Sequence, residues 1–144
     1  MASGVARAPA AFQEASRRLT LTFTFDTGML IALERRSQRA RNALRAIVDR
    51  GLRPVVPAIV VAEWWRGRTD AREDILSVVH VEPMAAVLSR AAGEAMSSVS
   101  GATLADAVVM ASASLRGGGI VYTSDPDDLG LLARHFASVA ILAV

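Results

Sequence analysis

Cysteine is absent from the 144 residues, so neither a disulfide framework nor a thiolate metal site can exist. Lysine is absent as well, because all 16 basic residues are arginine. Chemistry that needs a catalytic or phosphate-binding lysine, the P-loop included, is therefore excluded. Histidine is scarce: only His80 and His135 occur, which argues against a histidine-based ribonuclease mechanism. No apolar run approaches the roughly 20 residues that span a bilayer. The opening MASGVARAPAAFQEASRRL lacks the continuous apolar stretch of a secretory signal. The expected location is cytoplasmic.

A hydrophobic share of 52 % against a charged share of 21 % describes a globular chain with a slight apolar lean, enough to suggest a buried subunit contact. Its length is that of one ordinary domain with a full core. The net charge of +2 is mild, so charge placement is more informative than charge total.

Residues 1–18, rich in Ala with Gly, Pro, Ser and Arg, read as a mobile tail or short extra helix ahead of a domain over 19–144. Leu19 to Phe25 alternates Thr with Leu and Phe, a strand signal. Asp26-Thr27-Gly28 opens the helical stretch MLIALERR. From Ser37 to Arg50 the apolar residues Ala40, Ala43, Leu44, Ile47 and Val48 follow helical spacing, and Gly51 ends the run. A short strand at Pro54 to Val56 leads to a helix, AIVVAEWWRGR, with Pro57 in its first turn. Thr69 to Asp74 is a polar stretch, and Val78 to Glu82 a strand. Helices are predicted over Met84 to Val99, Thr103 to Leu115 and Asp125 to Phe136, with strands at Ile120 to Thr123 and Val139 to Val144. Strands separated by helices imply a parallel sheet of about five strands, covered on both faces.

Four acids, Asp26, Glu63, Asp106 and Asp125, stand where such elements begin or end. In an open parallel sheet ligands bind outside the carboxyl ends of the strands. If the first and fourth strands are neighbours, all four side chains can converge on one cleft. Clustered carboxylates repel one another and suit a hard divalent cation, Mg²⁺ or Mn²⁺, whereas zinc favours His and Cys. The implied chemistry is metal-assisted phosphodiester hydrolysis. Singly, each acid has an ordinary explanation. Asp26 suits an N-cap, Thr103-Leu104-Ala105-Asp106 fits a capping box, Ser124-Asp125-Pro126 caps a helix, and Glu63 can be a solvated helix residue. Capping does not explain why four caps should meet at one sheet edge, and the joint reading favours a site. The absence of lysine also argues against a receiver domain, which has a similar acidic layout. Phe25-Asp26-Thr27-Gly28 matches the tetrapeptide of aspartic proteases, but those are built almost wholly from strands and the helical periods here make the match a coincidence.

The ordered motifs FTFDTGMLIAL, VPAIVVAEWWRG, TLADAVVMASA and IVYTSDPDDLGLLA resemble a PIN domain, and specifically the VapC ribonuclease toxins of type II toxin–antitoxin pairs. The resemblance runs from about Leu21 to Val144. It implies a three-layer α/β/α sandwich and a metal site of Asp26, Glu63, Asp106 and Asp125, with Asp26 and Asp106 as the first direct ligands. In the closing cluster Asp125 matches best, Asp127 assists, often through water, and Asp128 matches less well. Thr123 or Ser124 would hydrogen-bond a water or a carboxylate. The resemblance also implies an RNA substrate, a homodimer and a VapB-like antitoxin that blocks the site. The tail before the first strand is longer than such toxins carry; it either contacts a partner or precedes the functional start.

RNA needs positive charge near such a centre. Arg66 and Arg68, just after the glutamate motif, are the first candidates, with Arg72 following. Arg35, Arg36, Arg39, Arg41 and Arg45 read equally well as a solvated helix face. Trp64 and Trp65 favour core or subunit packing over base stacking. Two other readings stand beside the ribonuclease. One is a metal-dependent DNA nuclease or phosphatase using the same pocket, and the other a catalytically silent PIN-like RNA-binding module. Carboxylates at all four positions speak against the latter.

Overall fold

The structure is a computed structural model that describes residues 22–144. The proposed tail over 1–18 and the start of the first predicted strand lie outside the described residues. The elements run β1 (Phe23–Phe25), α1 (Thr27–Glu34), α2 (Gln38–Asp49), β2 (Val55–Pro57), α3 (Ala58–Trp64) and α4 (Asp70–Ser77). They continue with β3 (His80–Glu82), α5 (Ala86–Ser98), α6 (Leu104–Leu115), β4 (Gly119–Thr123), α7 (Pro126–Gly130) and β5 (Val139–Ala143).

All five strands are parallel, in the order β3-β2-β1-β4-β5. The chain builds outward from β1 to β3, then returns to place β4 on the other side of β1. The strand order therefore reverses between β1 and β4, with Phe25 in register with Tyr122. That reversal opens a crevice at the carboxyl ends of the two central strands. β1 is buried along its whole length, as a central strand under two helical layers should be.

α6 fills the layer behind the crevice. Eight of its residues, from Ala105 to Ser112 and Ala113 with Asp106 excepted, are buried, so this helix is apolar nearly all round. Its alanines allow α5, through Leu88, Ala92 and Ala95, to pack closely against it. α2 is the opposite case: only Ala40 and Ile47 are buried, while Arg39, Arg41 and Arg45 face solvent. Its arginines form a solvated face. At the far edge of the sheet, Gly118 and Gly119 have φ of 102° and 119° and press against the backbone of Ser138 and Thr22. A side chain at either position would collide with backbone, so the triple glycine is what brings β4 close to its neighbours.

The structure corrects three expectations about elements and adds one helix. The polar stretch Thr69 to Asp74, for which the sequence pattern predicts no helix, starts α4, capped by Thr69, with Asp70 and Glu73 in the first turn. Only Ile75 of that helix is buried, so it carried almost no apolar period. The helix of the glutamate motif ends at Trp64, with Trp65 extended and Gly67 at φ 112°, which puts Arg66 and Arg68 on a loop. Pro57 closes β2 and sits at the N-cap of α3 rather than in its first turn. The helix expected over Asp125 to Phe136 is α7 alone. Beyond Gly130 the chain winds through turns to Ser138, with Ala133 N–H donating to Gly130 O and His135 N–H to Leu132 O. Leu129, Leu132 and Phe136 are buried from that stretch, and their three- and four-residue spacing mimics a helix.

Candidate active site

Asp26 ends β1 and begins α1. Its Oδ1 accepts from Met29 N–H at 2.8 Å, so the capping reading of this residue holds. The same side chain lines a pocket of about 300 Å³ at the β1–β4 crevice, together with Glu63, Asp106, Asp125 and Asp128. Asp106 stands in the first turn of α6, where its N–H donates to Thr103 Oγ1 at 3.2 Å. Asp125 occupies the N-cap position of α7 but makes no side-chain cap bond. Its carboxylate is therefore not used by the helix it precedes. Glu63 reaches the pocket from α3, and its Oε1 accepts from Thr27 Oγ1 at 2.7 Å. Capping and convergence are thus compatible: the caps meet because helices α1, α6 and α7 all begin at the carboxyl edge of the sheet.

Among the described residues, five carboxylates and no basic side chain line this pocket. The consequence falls first on Asp26, which is only 7 % exposed. Burial pushes its pKa from 3.8 up to about 6, opposed by hydrogen bonds from the Thr123 hydroxyl and Met29 N–H and reinforced by the charges of Asp106 and Asp125. Asp106 is also raised, first by burial, with Asp128, Glu63 and Asp125 adding repulsion against the Thr103 hydrogen bond. Asp128 is raised by a hydrogen bond shared with Asp125 and by that neighbour's charge. Among the described residues, the site is a concentration of acidic side chains without an internal counterion.

Such a donor set, all oxygen and net anionic, fits a hard divalent cation. Among the described residues, no group of three or more Asp, Glu, His or Cys side chains is arranged to hold a metal ion as it stands. One oxygen of Asp26 is turned to the Met29 N–H and one of Glu63 to the Thr27 hydroxyl.

Of the accessory residues expected from sequence, Thr123 is fully buried, donates to Asp26 and accepts from Asp125 N–H at 2.9 Å. Ser124 lines the pocket. Asp127 does not line it, whereas Asp128 does: one helical residue further on, it faces back over the N-terminus of α7. Thr27 and Gly28 were missed as site residues. Gly28 packs against Ser124, with Asp26 Oδ1 beside it, so a side chain there would meet the Ser124 hydroxyl. The clue in the sequence was the small pair directly after Asp26.

Arg68 is exposed and stands 3.8 Å from Glu73, outside the pocket. Arg66 lines a neighbouring cleft instead. Trp64 is buried in the core, with its Nε1–H donating to Glu34 at 3.0 Å, and Trp65 packs edge-on against it. His80 is exposed on β3 and lines no part of the pocket.

A parallel α/β sandwich with an acidic pocket at its strand reversal defines the class: a fold that gathers carboxylates at the sheet's carboxyl edge. The family model of the PIN domain matches residues 23–134, and the chain belongs to that family. PIN domains are in general metal-dependent nucleases that use divalent ions such as Mg²⁺ or Mn²⁺. No curated protein matches the chain. Among the described residues, no helix is long and apolar enough to cross a membrane.

Proposed function

We propose that this PIN domain is a metal-dependent endoribonuclease of the VapC kind, the toxin of a type II toxin–antitoxin pair, with residues 19–144 as its nuclease unit. The observation that carries the reading is the pocket in which Asp26, Glu63, Asp106 and Asp125 meet with Asp128 and, among the described residues, no basic side chain. In this reading Asp26 and Asp106 are the direct ligands of Mg²⁺ or Mn²⁺, and Asp125 and Glu63 complete the set through direct or water-bridged contacts. When bound, the ion supplies a water of lowered pKa and charge neutralisation at the scissile phosphate.

The chain's own residues do the rest. Asp26 is held by the Met29 N–H and the Thr123 hydroxyl, which restricts its side-chain orientation. Thr27 fixes Glu63 in the same way across the pocket. Glu63 and Asp125 line the pocket where a carboxylate oxygen can accept a proton from an attacking water, and Asp128 lines it beside them. The reading further includes a homodimer, a cytoplasmic setting and a VapB-like antitoxin that covers the pocket, for which an antitoxin arginine would be the natural counterion.

Purified protein is to be assayed on a panel of tRNA, rRNA fragments and matched DNA, with Mg²⁺, with Mn²⁺ and with EDTA. Cleavage of RNA but not DNA, abolished by EDTA and reduced roughly 100-fold or more in Asp106→Asn, is the expected result. Binding of Mn²⁺, read directly by its paramagnetic signal, should fall in the same variant. Cleavage of DNA instead would move the assignment to a deoxyribonuclease, and undiminished activity in Asp106→Asn would remove the site.

A further inference from the structure

Beside the acidic pocket lies a second cleft of about 440 Å³, and Glu63 lines both. Its walls come from the last turn of α1, the end of α3, the loop after it and α4. Among the described residues the charge pattern inverts across Glu63: the pocket holds no basic side chain, while the cleft holds Arg35, Arg66 and Arg72.

These three arginines are not equivalent. Glu34 presents one carboxylate oxygen to Trp64 Nε1 and the other to Arg72 Nη2, each at 3.0 Å. Arg72 also donates to Gly67 O at 2.9 Å. This one carboxylate therefore ties α1, α3 and α4 together and makes the cleft a preformed surface. Arg72 is neutralised there, although its Nε–H is buried without an acceptor among the described residues. Arg35 and Arg66 have no carboxylate partner among the described residues, and Arg66 bonds only to the adjacent Trp65 O, at 3.2 Å. Both are exposed and directed to the same cleft. A guanidinium fork matches a phosphate in geometry and charge. An acidic pocket by itself repels a polyanion, so a substrate strand must be held by cations beside it.

We infer that the cleft is a backbone-phosphate subsite, in which Arg35 and Arg66 grip a phosphate of the nucleic-acid strand adjoining the one presented to the acidic pocket. The assignment rests on the nuclease reading, and it replaces Arg68 with Arg35 as the partner of Arg66. Arg72 serves as a positioning residue for the wall.

The test uses the full chain and a short fluorescent single-stranded RNA in EDTA, where cleavage is suppressed, with binding read by anisotropy over a range of salt. The double variant Arg35→Gln/Arg66→Gln is compared with Arg39→Gln/Arg45→Gln, which alters two exposed arginines that line neither cavity. The first pair should weaken binding about tenfold or more and flatten the salt dependence by about 0.7 in the log–log slope, the value for one single-strand phosphate no longer neutralised. The second pair should change affinity by less than about threefold. With Mg²⁺ present, the first pair should raise KM and leave kcat nearly unchanged. Unchanged affinity and slope in the first pair, equal losses in both pairs, or no RNA binding by the parent chain would each overturn the subsite. Displacement of RNA by an acidic peptide more readily than by unlabelled RNA of equal charge would also overturn it, in favour of a protein ligand. Absence of cleavage by the parent chain with every metal counts against the nuclease reading instead, and leaves the binding comparison legible.

Discussion

Replacing Asp26 with asparagine should make the protein more stable while removing its activity. The carboxylate is buried and its pKa is raised from 3.8 to about 6. Between those values the folded state binds a proton that the unfolded state has released, so stability falls as pH rises through the interval. The contribution is fully present below about 3.8 and is lost above about 6. At about 1.4 kcal/mol for each pH unit, the displacement corresponds to about 3 kcal/mol at pH 7. Asparagine stands in for the protonated acid: it keeps an oxygen for the Met29 N–H, caps a helix as well as aspartate does, and carries no charge. Asp26→Asn should therefore exceed the parent chain in stability by about 3 kcal/mol at pH 7 in EDTA, or roughly 10 °C in Tm. Urea unfolding from pH 4 to pH 8 measures this, and the gap should close near pH 4. Adding Mg²⁺ should stabilise the parent chain and not the variant, because only the former offers the anionic ligand. A variant no more stable than its parent at pH 7, or a gap independent of pH, would refute the claim that an uncompensated buried charge sits at the end of β1.

Two further substitutions probe the surroundings of the site. In Gly28→Ala the new methyl group meets the Ser124 hydroxyl beside Asp26. Stability by urea unfolding should change by no more than about 1 kcal/mol, since alanine is also the better helix former. Mn²⁺ affinity should nevertheless fall roughly tenfold and recover in Gly28→Ala/Ser124→Ala, where the obstructing oxygen is gone. Glu34→Ala strands both the Trp64 N–H and the Arg72 guanidinium, and should cost about 2–4 kcal/mol by urea unfolding. Glu34→Gln, which keeps the acceptor for Trp64, should cost less.

The parts of this protein that could be read along the chain are those encoded by local periodicity and residue chemistry. Alternation of strand and helix patterns predicted a parallel sheet, and the five strands are parallel. The four acids lay at element boundaries, which is where a parallel sheet gathers functional groups. Capping and site-building were competing explanations on sequence grounds, and at Asp26 and Asp106 they are compatible, because one oxygen or one N–H satisfies the helix while the residue still lines the pocket.

Local pattern failed where the decisive interaction is distant in the chain or where burial is slight. α4 buries a single residue and left no period to detect, yet its Arg72 pairs with Glu34 and shapes the second cleft. Asp127 and Asp128 are chemically identical neighbours, and only the direction of the first turn of α7 turns Asp128 inward. Thr27 and Glu63 are 36 residues apart, so their hydrogen bond has no local signature. Composition and spacing were enough to mark the acids and the type of sheet, since both follow from short-range chemistry. Whether β4 pairs with β1 depends on the return of the chain across the sheet, and that long-range pairing is what turns separate helix caps into one pocket.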